Sequence, residues 1–251
     1  MNTVKNVAIT GASSGIGAAL ARAYADTGIQ LNITGRDSMR LSAIAGELRQ
    51  FGAAVHTSVV DVSDRTKMGE WIAEIEKNGP IDLLIANAGI DGSGLVGDEI
   101  YYRLTETNYV GVLNTVLPAL PYMKKRGAGQ IAIISSLAGF RGLPGAIAYA
   151  ASKAAVRSLG EGLRGRYQDQ GIKVSVVCPG FVESRITASN QFPMPFLWPA
   201  DKAANYIKKK LSQNRGRIVF PWPLYAGVWL LNTMPVSWSD RIVSRAPRKQ
   251  K

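Results

Sequence analysis

The chain has 251 residues, of which 46% are hydrophobic and 19% are charged, and this composition is typical of one folded domain with a sizeable core. The single cysteine excludes a disulfide framework within the chain and fits a reducing compartment, and the single histidine argues against a zinc site or a Ser-His-Asp triad, so no bound metal is expected. The net charge of +12 is uneven, because residues 201–251 carry eleven Lys and Arg against two Asp, a net charge of +9.

The N-terminal residues 1–6 enter the first predicted strand almost at once and leave no room for a secretion signal. No apolar run approaches the roughly 18 to 20 residues that are needed to cross a bilayer. We therefore expect a cytoplasmic protein, whose only membrane contact would be at a membrane surface.

Short apolar runs alternate with longer amphipathic stretches over the first 180 residues, which is the pattern of a parallel sheet with helices on both faces. Gly28, Gly52 and Gly171 stand where helices should end before the next strand. The sequence therefore predicts an α/β fold with a doubly wound, seven-stranded parallel sheet. The predicted strands are Val4–Thr10, Gln30–Thr34, Ala53–Val60, Ile81–Ala86, Gln130–Ser135, Lys173–Cys178 and Arg217–Phe220.

The first strand runs into a glycine-spaced turn and then into an alanine-rich helical pattern. A diphosphate needs backbone N–H groups at contact distance with the positive end of a helix behind them, and side chains at those points would hold it away. We interpret Gly11 as the turn off the strand, Gly15 as the opening toward the ligand, and Gly17 as the close approach of helix to sheet. The candidate phosphate-binding residues are Gly11, Ser13, Ser14, Gly15, Ile16 and Gly17.

Gly35 and Arg36 follow the second predicted strand, where an NAD enzyme usually places an acidic side chain for the ribose hydroxyls. A basic residue at this point can instead pair with a 2′-phosphate, so the sequence favours NADP(H) over NAD(H). Asp37 complicates this prediction, and its alternative role is to cap the next helix and form a surface pair with Arg40.

Two short polar segments end the third and fourth predicted strands. In open sheets of this kind ligands bind beyond the carboxyl ends of the strands, so both segments are candidate cofactor contacts, and their alternative role is turn chemistry alone. They are Asp61-Val62 and Asn87-Ala88-Gly89.

Ser136 follows the fifth predicted strand, and Tyr149 and Lys153 stand four residues apart in the helical stretch that comes next. That spacing puts both side chains on one face of a helix. A phenol with a pKa near 10 is a poor acid at neutral pH, but a cation within about 4 to 6 Å favours its phenolate and lowers the pKa. The three residues are therefore candidates for acid–base catalysis.

Taken together, these motifs resemble the short-chain dehydrogenase/reductase superfamily, and the resemblance covers residues 4 to 220. The family's T-G-x-x-x-G-x-G turn, serine and Y-x-x-x-K pair appear here, as do its helix asparagine and P-G turn. The chain departs from the pattern at Ala86, where asparagine is usual, and at Ser184, where threonine is usual. The matching positions are Thr10 to Gly17, Asn87-Ala88-Gly89, Asn108, Ser136, Tyr149, Lys153 and Pro179-Gly180.

The resemblance implies a Rossmann fold that transfers hydride between a nicotinamide and a carbonyl or secondary alcohol. Tyr149 would serve as general acid/base, Ser136 would hold the substrate oxygen, Lys153 would bind the nicotinamide ribose, and Asn108 would place a proton-replacing water. Further cofactor contacts are expected at Pro179, Gly180, Val182 and Ser184, and a homodimer or homotetramer is expected by analogy.

We expect residues 1–220 to form a single catalytic domain with a variable substrate lid at about 181–202. The lid is rich in apolar and aromatic side chains, which favours a hydrophobic carbonyl or alcohol as substrate. The alternative is that these side chains pack on the domain itself or across a subunit contact. They include Phe181, Phe192, Met194, Phe196, Leu197 and Trp198.

Residues 221–251 form a C-terminal extension that is apolar and aromatic and then basic. It could cover the substrate pocket or dock on a partner subunit, or it could lie on an anionic membrane surface without crossing it. We favour the first two, because exposed apolar patches are more often buried by a partner than left for lipid.

The positive charge also raises a different class of function, a non-catalytic dinucleotide-sensing or nucleic-acid-binding module. Against nucleic acid, the basic residues are confined to one end of the chain and no helix-turn-helix or aromatic-basic sheet pattern is present. The full catalytic set would also have no purpose in such a module.

Overall fold

The structure is a computed structural model, and it describes residues 4–188, 190 and 192–244. Seven parallel strands form one sheet in the order β3-β2-β1-β4-β5-β6-β7, which confirms the predicted fold class. The strands are β1 (Asn6–Thr10), β2 (Gln30–Gly35), β3 (Ala54–Val59), β4 (Leu83–Ala86), β5 (Gly129–Ile134), β6 (Ile172–Pro179) and β7 (Arg217–Phe220).

Helices follow most of the strands and cover both faces of the sheet. A π-helical turn (Glu106–Val110) separates α4 from α5, and short 3₁₀ turns lie at Leu137–Phe140 and Gln168–Gln170. The helices are α1 (Gly15–Tyr24), α2 (Ser38–Gln50), α3 (Arg65–Asn78), α4 (Glu99–Thr105), α5 (Gly111–Val116), α6 (Leu120–Arg126), α7 (Ile147–Tyr167), α8 (Arg185–Ala188), α9 (Ala200–Ser212), α10 (Trp222–Thr233) and α11 (Val236–Val243).

Each face of the sheet carries its own hydrophobic core. On one face Leu20 of α1, Leu48 of α2 and Ile207 of α9 pack against the strands, and all are fully buried. On the other face α3, α5 and α7 contribute the second core, with Ile72 and Val156 at its centre. Burial of apolar surface on both faces explains why the sequences of the central strands are nearly continuous apolar runs.

The observed strand ends lie within two residues of the predicted ones, and β7 has the predicted bounds. The fourth strand begins at Leu83 rather than Ile81, because the Asp82 carboxylate accepts hydrogen bonds from the backbone N–H groups of Lys5 (2.8 Å) and Asn6 (2.9 Å) and so closes the start of the β1–β4 pair. The single histidine, His56, is an exposed residue of β3.

The strand order reverses direction between β1 and β4, since β1 pairs with β2 on one side and β4 on the other. Connections leave this point toward opposite faces, so the carboxyl ends of the two strands border a crevice, where open α/β sheets bind ligands.

Within residues 4–188, 190 and 192–244, no helix has both the length and the apolar character that a membrane crossing requires. The same residues contain no cluster of metal ligands.

Candidate active site

The turn between β1 and α1 is built from glycines that no other residue could replace without strain. Gly11 and Gly15 have positive φ angles of 66° and 55°. A Cβ on Gly17 would lie 2.2 Å from the carbonyl oxygen of Gly11 and 2.4 Å from Nδ2 of Asn87. Ser14 stands at the N-cap of α1 without a side-chain hydrogen bond to the helix. The first N–H groups of α1 are therefore left for an anionic ligand, as the sequence predicts.

Thr10 and Asn87 tie this turn to the end of β4. The Oγ1 atom of Thr10 accepts hydrogen bonds from the backbone N–H groups of Asn87 and Ala88, both at 3.1 Å. Nδ2 of Asn87 donates to the carbonyl oxygens of Thr10 (3.0 Å) and Gly11 (3.1 Å). The side chain of Asn87 thus orders the glycine turn, a positioning role that the sequence-based prediction of a cofactor contact did not include.

Arg36 and Asp61 face each other across the ends of β2 and β3. The Arg36 guanidinium is half-exposed, and its NH1 atom lies 3.6 Å from Oδ2 of Asp61. Oδ1 of Asp61 accepts hydrogen bonds from the backbone N–H (3.0 Å) and hydroxyl (2.8 Å) of Ser63. Although partial burial opposes the shift, these hydrogen bonds and the nearby guanidinium charges hold the pKa of Asp61 below its ordinary value. A pocket for negative charge at this point depends on Arg36 turning away from that carboxylate.

Asp37 does not face the ribose position freely, because its side chain is engaged with α2. Its Oδ1 accepts from the backbone N–H of Arg40 (3.0 Å), and its Oδ2 accepts from Nε of the same residue (2.7 Å). Asp37 is therefore the helix cap and surface ion pair that the sequence allowed as an alternative. Asp37 still lines the cavity beside Arg36 and Arg40, as a carboxylate paired with the second of these guanidinium groups.

Ser136, Tyr149 and Lys153 converge from β5 and α7. Ser136 caps the 3₁₀ turn, where its Oγ accepts from the backbone N–H of Ala138 (3.1 Å) and donates to the carbonyl oxygen of Pro179 (3.4 Å). The Nζ atom of Lys153 donates to the carbonyl oxygen at position 134 (3.0 Å) and lies 5.8 Å from the ring centroid of Tyr149. The phenol and the ammonium share one face of α7, as their spacing predicts.

Burial sets the protonation of both groups. It raises the pKa of Tyr149 to about 12, against an opposing hydrogen bond with Ser136, and it lowers the pKa of Lys153 to about 8. The expectation that Lys153 lowers the pKa of Tyr149 below its ordinary value is thus wrong for the protein by itself, because loss of hydration is the larger effect. At neutral pH Tyr149 is a phenol, which suits it to donate a proton.

Asn108 lies behind the wall of the site rather than in it. Its Oδ1 accepts from the backbone N–H of Ile90 (2.8 Å), and its Nδ2 donates to the carbonyl oxygen of Ile90 (2.9 Å) and to Oγ of Ser152 (3.1 Å). A Cβ on Gly89 would meet Oδ1 of Asn108 at 3.1 Å and Nζ of Lys153 at 3.4 Å. The buried amide therefore joins the segment after β4 to α7 and keeps Gly89 close to the ammonium.

The segment after β6 closes the opposite side of the site. A Cβ on Gly15 would lie 3.0 Å from Cβ of Ser184, so Ser184 sits directly against the glycine turn. The backbone N–H of Ser184 donates a hydrogen bond to Oγ1 of Thr187 (2.9 Å). An isolated β-bridge pairs the backbone of Val182 with that of Trp198. These contacts hold the Pro179–Ser184 segment over the turn, where Pro179, Gly180, Val182 and Ser184 line the cavity.

Most of the predicted residues line one cavity of about 650 Å³. This volume is in the range of small-molecule and cofactor sites. Gly17, Asp61 and Asn108 do not line it; they support residues that do. The predicted residues on its wall are Gly11, Ser13, Ser14, Gly15, Ile16, Arg36, Val62, Asn87, Ala88, Gly89, Ser136, Tyr149, Lys153, Pro179, Gly180, Val182 and Ser184.

The cavity wall also contains charged residues that sequence reasoning did not assign to the site. Arg40 and Arg103 line it together with Arg36, and Asp91 and Arg185 line it together with Tyr149. No motif marks them, because each comes from a helix or loop whose approach to the cavity depends on packing. The glycine cradle, the free helix N-terminus and the basic side chains fit a phosphorylated dinucleotide.

The aromatic residues of the predicted lid do not face the cavity. Trp198 stacks on Phe220 with a centroid distance of 4.8 Å and meets Tyr206 edge-on at 5.6 Å, so it packs, partly buried, against the core beside β7. Phe181 and Phe192 pair with each other at 6.1 Å. Packing on the domain itself, which the sequence left open, is therefore what the structure shows for Trp198. The apolar part of the wall comes instead from residues that include Ile90, Leu95, Val182 and Ile186.

Comparison with known proteins gives consistent matches. A family model described as short chain dehydrogenase matches residues 5–193. An uncharacterized oxidoreductase of Myxococcus xanthus is 35% identical over 94% of this chain and 95% of its own, and a putative ketoacyl reductase of Streptomyces coelicolor is 32% identical over 85% and 84%. The structure of a short-chain dehydrogenase from Sphingobium yanoikuyae in complex with NADPH covers 98% of both chains at 27% identity, with a TM-score of 0.81.

Proposed function

The chain belongs to the short-chain dehydrogenase family, and on this premise we propose that it is an NADP(H)-dependent oxidoreductase that interconverts an apolar carbonyl compound and its secondary alcohol. The observation that carries the proposal is that Ser136, Tyr149 and Lys153 line the same cavity as the glycine turn. An acid, a hydrogen-bonding hydroxyl and a cation thus stand within one dinucleotide-sized site. Neither the family nor this cavity favours a nucleic-acid-binding or non-catalytic module.

The chain's own residues supply the proton half of the reaction. A bound nicotinamide supplies the hydride that reaches the carbonyl carbon. Tyr149 donates its phenolic proton to the carbonyl oxygen, and the Ser136 hydroxyl holds that oxygen by a hydrogen bond. The Lys153 ammonium would stabilise the phenolate that remains and bind the nicotinamide ribose. The side chain of Asn108 does not line the cavity and its amide atoms are engaged, so it does not place the proton-replacing water as expected; water that enters the cavity would return the proton. In the oxidising direction Tyr149 removes the proton from the alcohol.

The proposed preference for NADP(H) depends on the basic side chains that line the cavity near the end of β2. Gly35 leaves no acidic side chain at the end of β2, and Asp37 is held by Arg40. Arg36 is half-exposed and lies 3.6 Å from Asp61, so its guanidinium can turn from that carboxylate to a 2′-phosphate. Arg103 lines the same cavity and adds positive charge. The NADPH-bound relative supports the same choice.

We expect Arg36→Ala to weaken NADP(H) binding by about 10- to 100-fold and NAD(H) binding by much less, since a charge-assisted bidentate pair with phosphate is lost. Fluorescence titration of both cofactors measures the two dissociation constants. Lys77→Ala, at the exposed end of α3, is the control and should change neither. Equal losses for NADP(H) and NAD(H) in the Arg36 variant would reject the assignment.

A hydrophobic substrate is proposed because apolar side chains line the cavity beside the catalytic groups. Ile90, Leu95 and Ile186 share the wall with Tyr149, while Asp91 and Arg185 are polar points that could fix orientation. Relatives named as ketoacyl reductases point to the same class of carbonyl. Suitable substrates are medium or long acyl chains, terpenoids, steroid-like ring systems and aryl ketones.

The proposed function is tested by measuring NADPH and NADH binding to the purified protein and then consumption of the tighter cofactor across carbonyl compounds graded by apolar size. We expect tighter binding of NADPH and turnover that rises with apolar size. Best turnover on small polar sugars would refute the substrate class, and tight binding without turnover on any carbonyl would argue against the reductase.

Proteins of this family act on small molecules and are commonly oligomeric, and we propose a homodimer or homotetramer in a reducing compartment such as the cytoplasm. Large apolar side chains are exposed on the helices that surround the site, including Tyr102 of α4 and Ile147 of α7. A partner subunit would cover them. The single cysteine, Cys178, is buried in β6 and needs no disulfide partner.

A further inference from the structure

The C-terminal helical pair, α10 and α11, is attached to the domain through one side only. On α10, Leu224, Tyr225 and Val228 pack against a small buried cluster beneath the 3₁₀ turn, and the Tyr225 ring meets Phe140 edge-on at 5.6 Å. On α11, Val243 is buried, and Asp240 forms an ion pair with Arg141. These contacts hold both helices in place and determine which side faces outward.

The outward side of the pair is apolar. Trp222 and Trp229 are seven residues apart on α10, which places them on one face, and they are 69% and 54% exposed. Trp238 of α11 is 62% exposed. Leu230 of α10 and Ile242 of α11 are each half-exposed, and Ile242 lies four residues after Trp238 on the same side of its helix. We call Trp222, Trp229, Leu230, Trp238 and Ile242 the apolar face. Three exposed tryptophans on two consecutive helices are unusual for a surface that meets only water.

The apolar face does not cover the active-site cavity. Among the residues that the structure describes, none from 221 onward lines that cavity, whose wall reaches no further along the chain than Thr187. The expectation that the extension covers the substrate pocket is therefore not supported. An occupant from outside the chain must be sought.

Charge distinguishes an anionic surface from a second copy of the chain. Residues 221–251 contain five Lys and Arg, all after the apolar face begins, against the single acidic residue Asp240. That carboxylate is already neutralised by Arg141. Two copies of the chain would carry the same net positive charge in this extension, which opposes their association through it, whereas an anionic lipid surface attracts that charge.

We propose that the apolar face binds the surface of an anionic membrane, with Trp222, Trp229 and Trp238 in the headgroup region and the basic C-terminal residues on lipid phosphates. Tryptophan has an apolar ring with a polar N–H, which suits the interface between water and acyl chains. Neither α10 nor α11 is long enough to cross a bilayer, so the helices lie along the surface. This docking would bring the cavity close to apolar substrates held in lipid.

The test is flotation of the full chain with vesicles of phosphatidylglycerol and phosphatidylcholine, and with vesicles of phosphatidylcholine alone. We expect binding to the anionic vesicles, little binding to the neutral ones, and release as salt concentration rises. Trp229→Ser/Trp238→Ser should bind the anionic vesicles at least about tenfold more weakly, because its interfacial aromatics are lost. Arg248→Gln/Lys249→Gln should weaken binding by a similar factor through charge.

The matched control is Phe51→Ser/Tyr122→Ser, which removes two exposed aromatics elsewhere on the surface and should bind vesicles like the unchanged protein. Flotation needs no turnover, so its outcome is independent of the proposed reaction. The proposal is overturned if the full chain does not float with anionic vesicles, or if the tryptophan variant floats equally well. If the unchanged protein does not bind vesicles and the tryptophan variant elutes from size-exclusion chromatography as a smaller species, the apolar face is assigned to contact with a second copy of the chain.

Discussion

Tyr149→Phe is expected to lower the rate of carbonyl reduction by about 10³-fold while NADPH binding is retained, because the ring remains and only the proton donor is removed. The Tyr149 hydroxyl lines the cavity together with Ser136 and Lys153, and it is a phenol at neutral pH. Single-turnover measurement of NADPH oxidation with saturating substrate isolates this step from product release.

Tyr122→Phe is the matched control, since Tyr122 lies exposed on α6 and lines no part of the cavity. It should leave both rate and affinity unchanged. If Tyr149→Phe retains full activity, the acid must be another group and the proposed mechanism fails. If it loses NADPH binding together with turnover, the residue acts through the shape of the site.

The pH profile of the same reaction gives a second readout of this mechanism. The pKa of Tyr149 is raised to about 12, so the phenol stays protonated at ordinary alkaline pH, whereas the pKa of Lys153 is lowered to about 8. Reduction should therefore slow as pH rises through about 8, because Lys153 loses the charge that stabilises the phenolate. Lys153→Arg should lose this decline, since a guanidinium stays protonated.

Gly17→Ala is expected to destabilise the fold by about 3 kcal/mol and to abolish NADPH binding. Its Cβ would lie 2.2 Å from the carbonyl oxygen of Gly11 and 2.4 Å from Nδ2 of Asn87, so the backbone of the glycine turn has to move. That movement breaks the clamp between Asn87 and the turn and misplaces the N-terminus of α1. Urea unfolding and NADPH titration measure the two effects.

The control is Gly46→Ala, in the exposed middle of α2, where an added Cβ meets no atom within 4 Å. Alanine is the better helix former, so this change should raise stability by up to about 1 kcal/mol and leave cofactor binding unchanged. Equal stability of the Gly17 and Gly46 variants would show that helix α1 does not need to approach the strand so closely.

Much of the fold could be predicted from local patterns. The alternation of apolar runs with amphipathic stretches identified all seven strands within one or two residues at most ends, since short-range burial and helix-ending glycines act through neighbours in the chain. The glycine turn and the face shared by Tyr149 and Lys153 were predictable for the same reason. Both depend on backbone geometry over a few residues.

The lid and the protonation states could not be predicted in this way. Trp198 packs against the core through Phe220 and Tyr206, and nothing in the residues around position 198 reveals those partners. The pKa of Tyr149 depends on how much water the folded site excludes, which outweighs the cation four residues along the helix. Arg103 reaches the cavity only through the position of α4.

The sequence by itself determined the order of the elements, the glycine turn and the face shared by Tyr149 and Lys153, because each is encoded by residues within one turn or one helix. Tertiary structure alone decided that Asn108 and Asn87 act as positioning residues and that the extension leaves its tryptophans exposed. These outcomes depend on which distant side chains compete for the same hydrogen bonds and the same buried space, and that competition is settled only when the strands and helices pack.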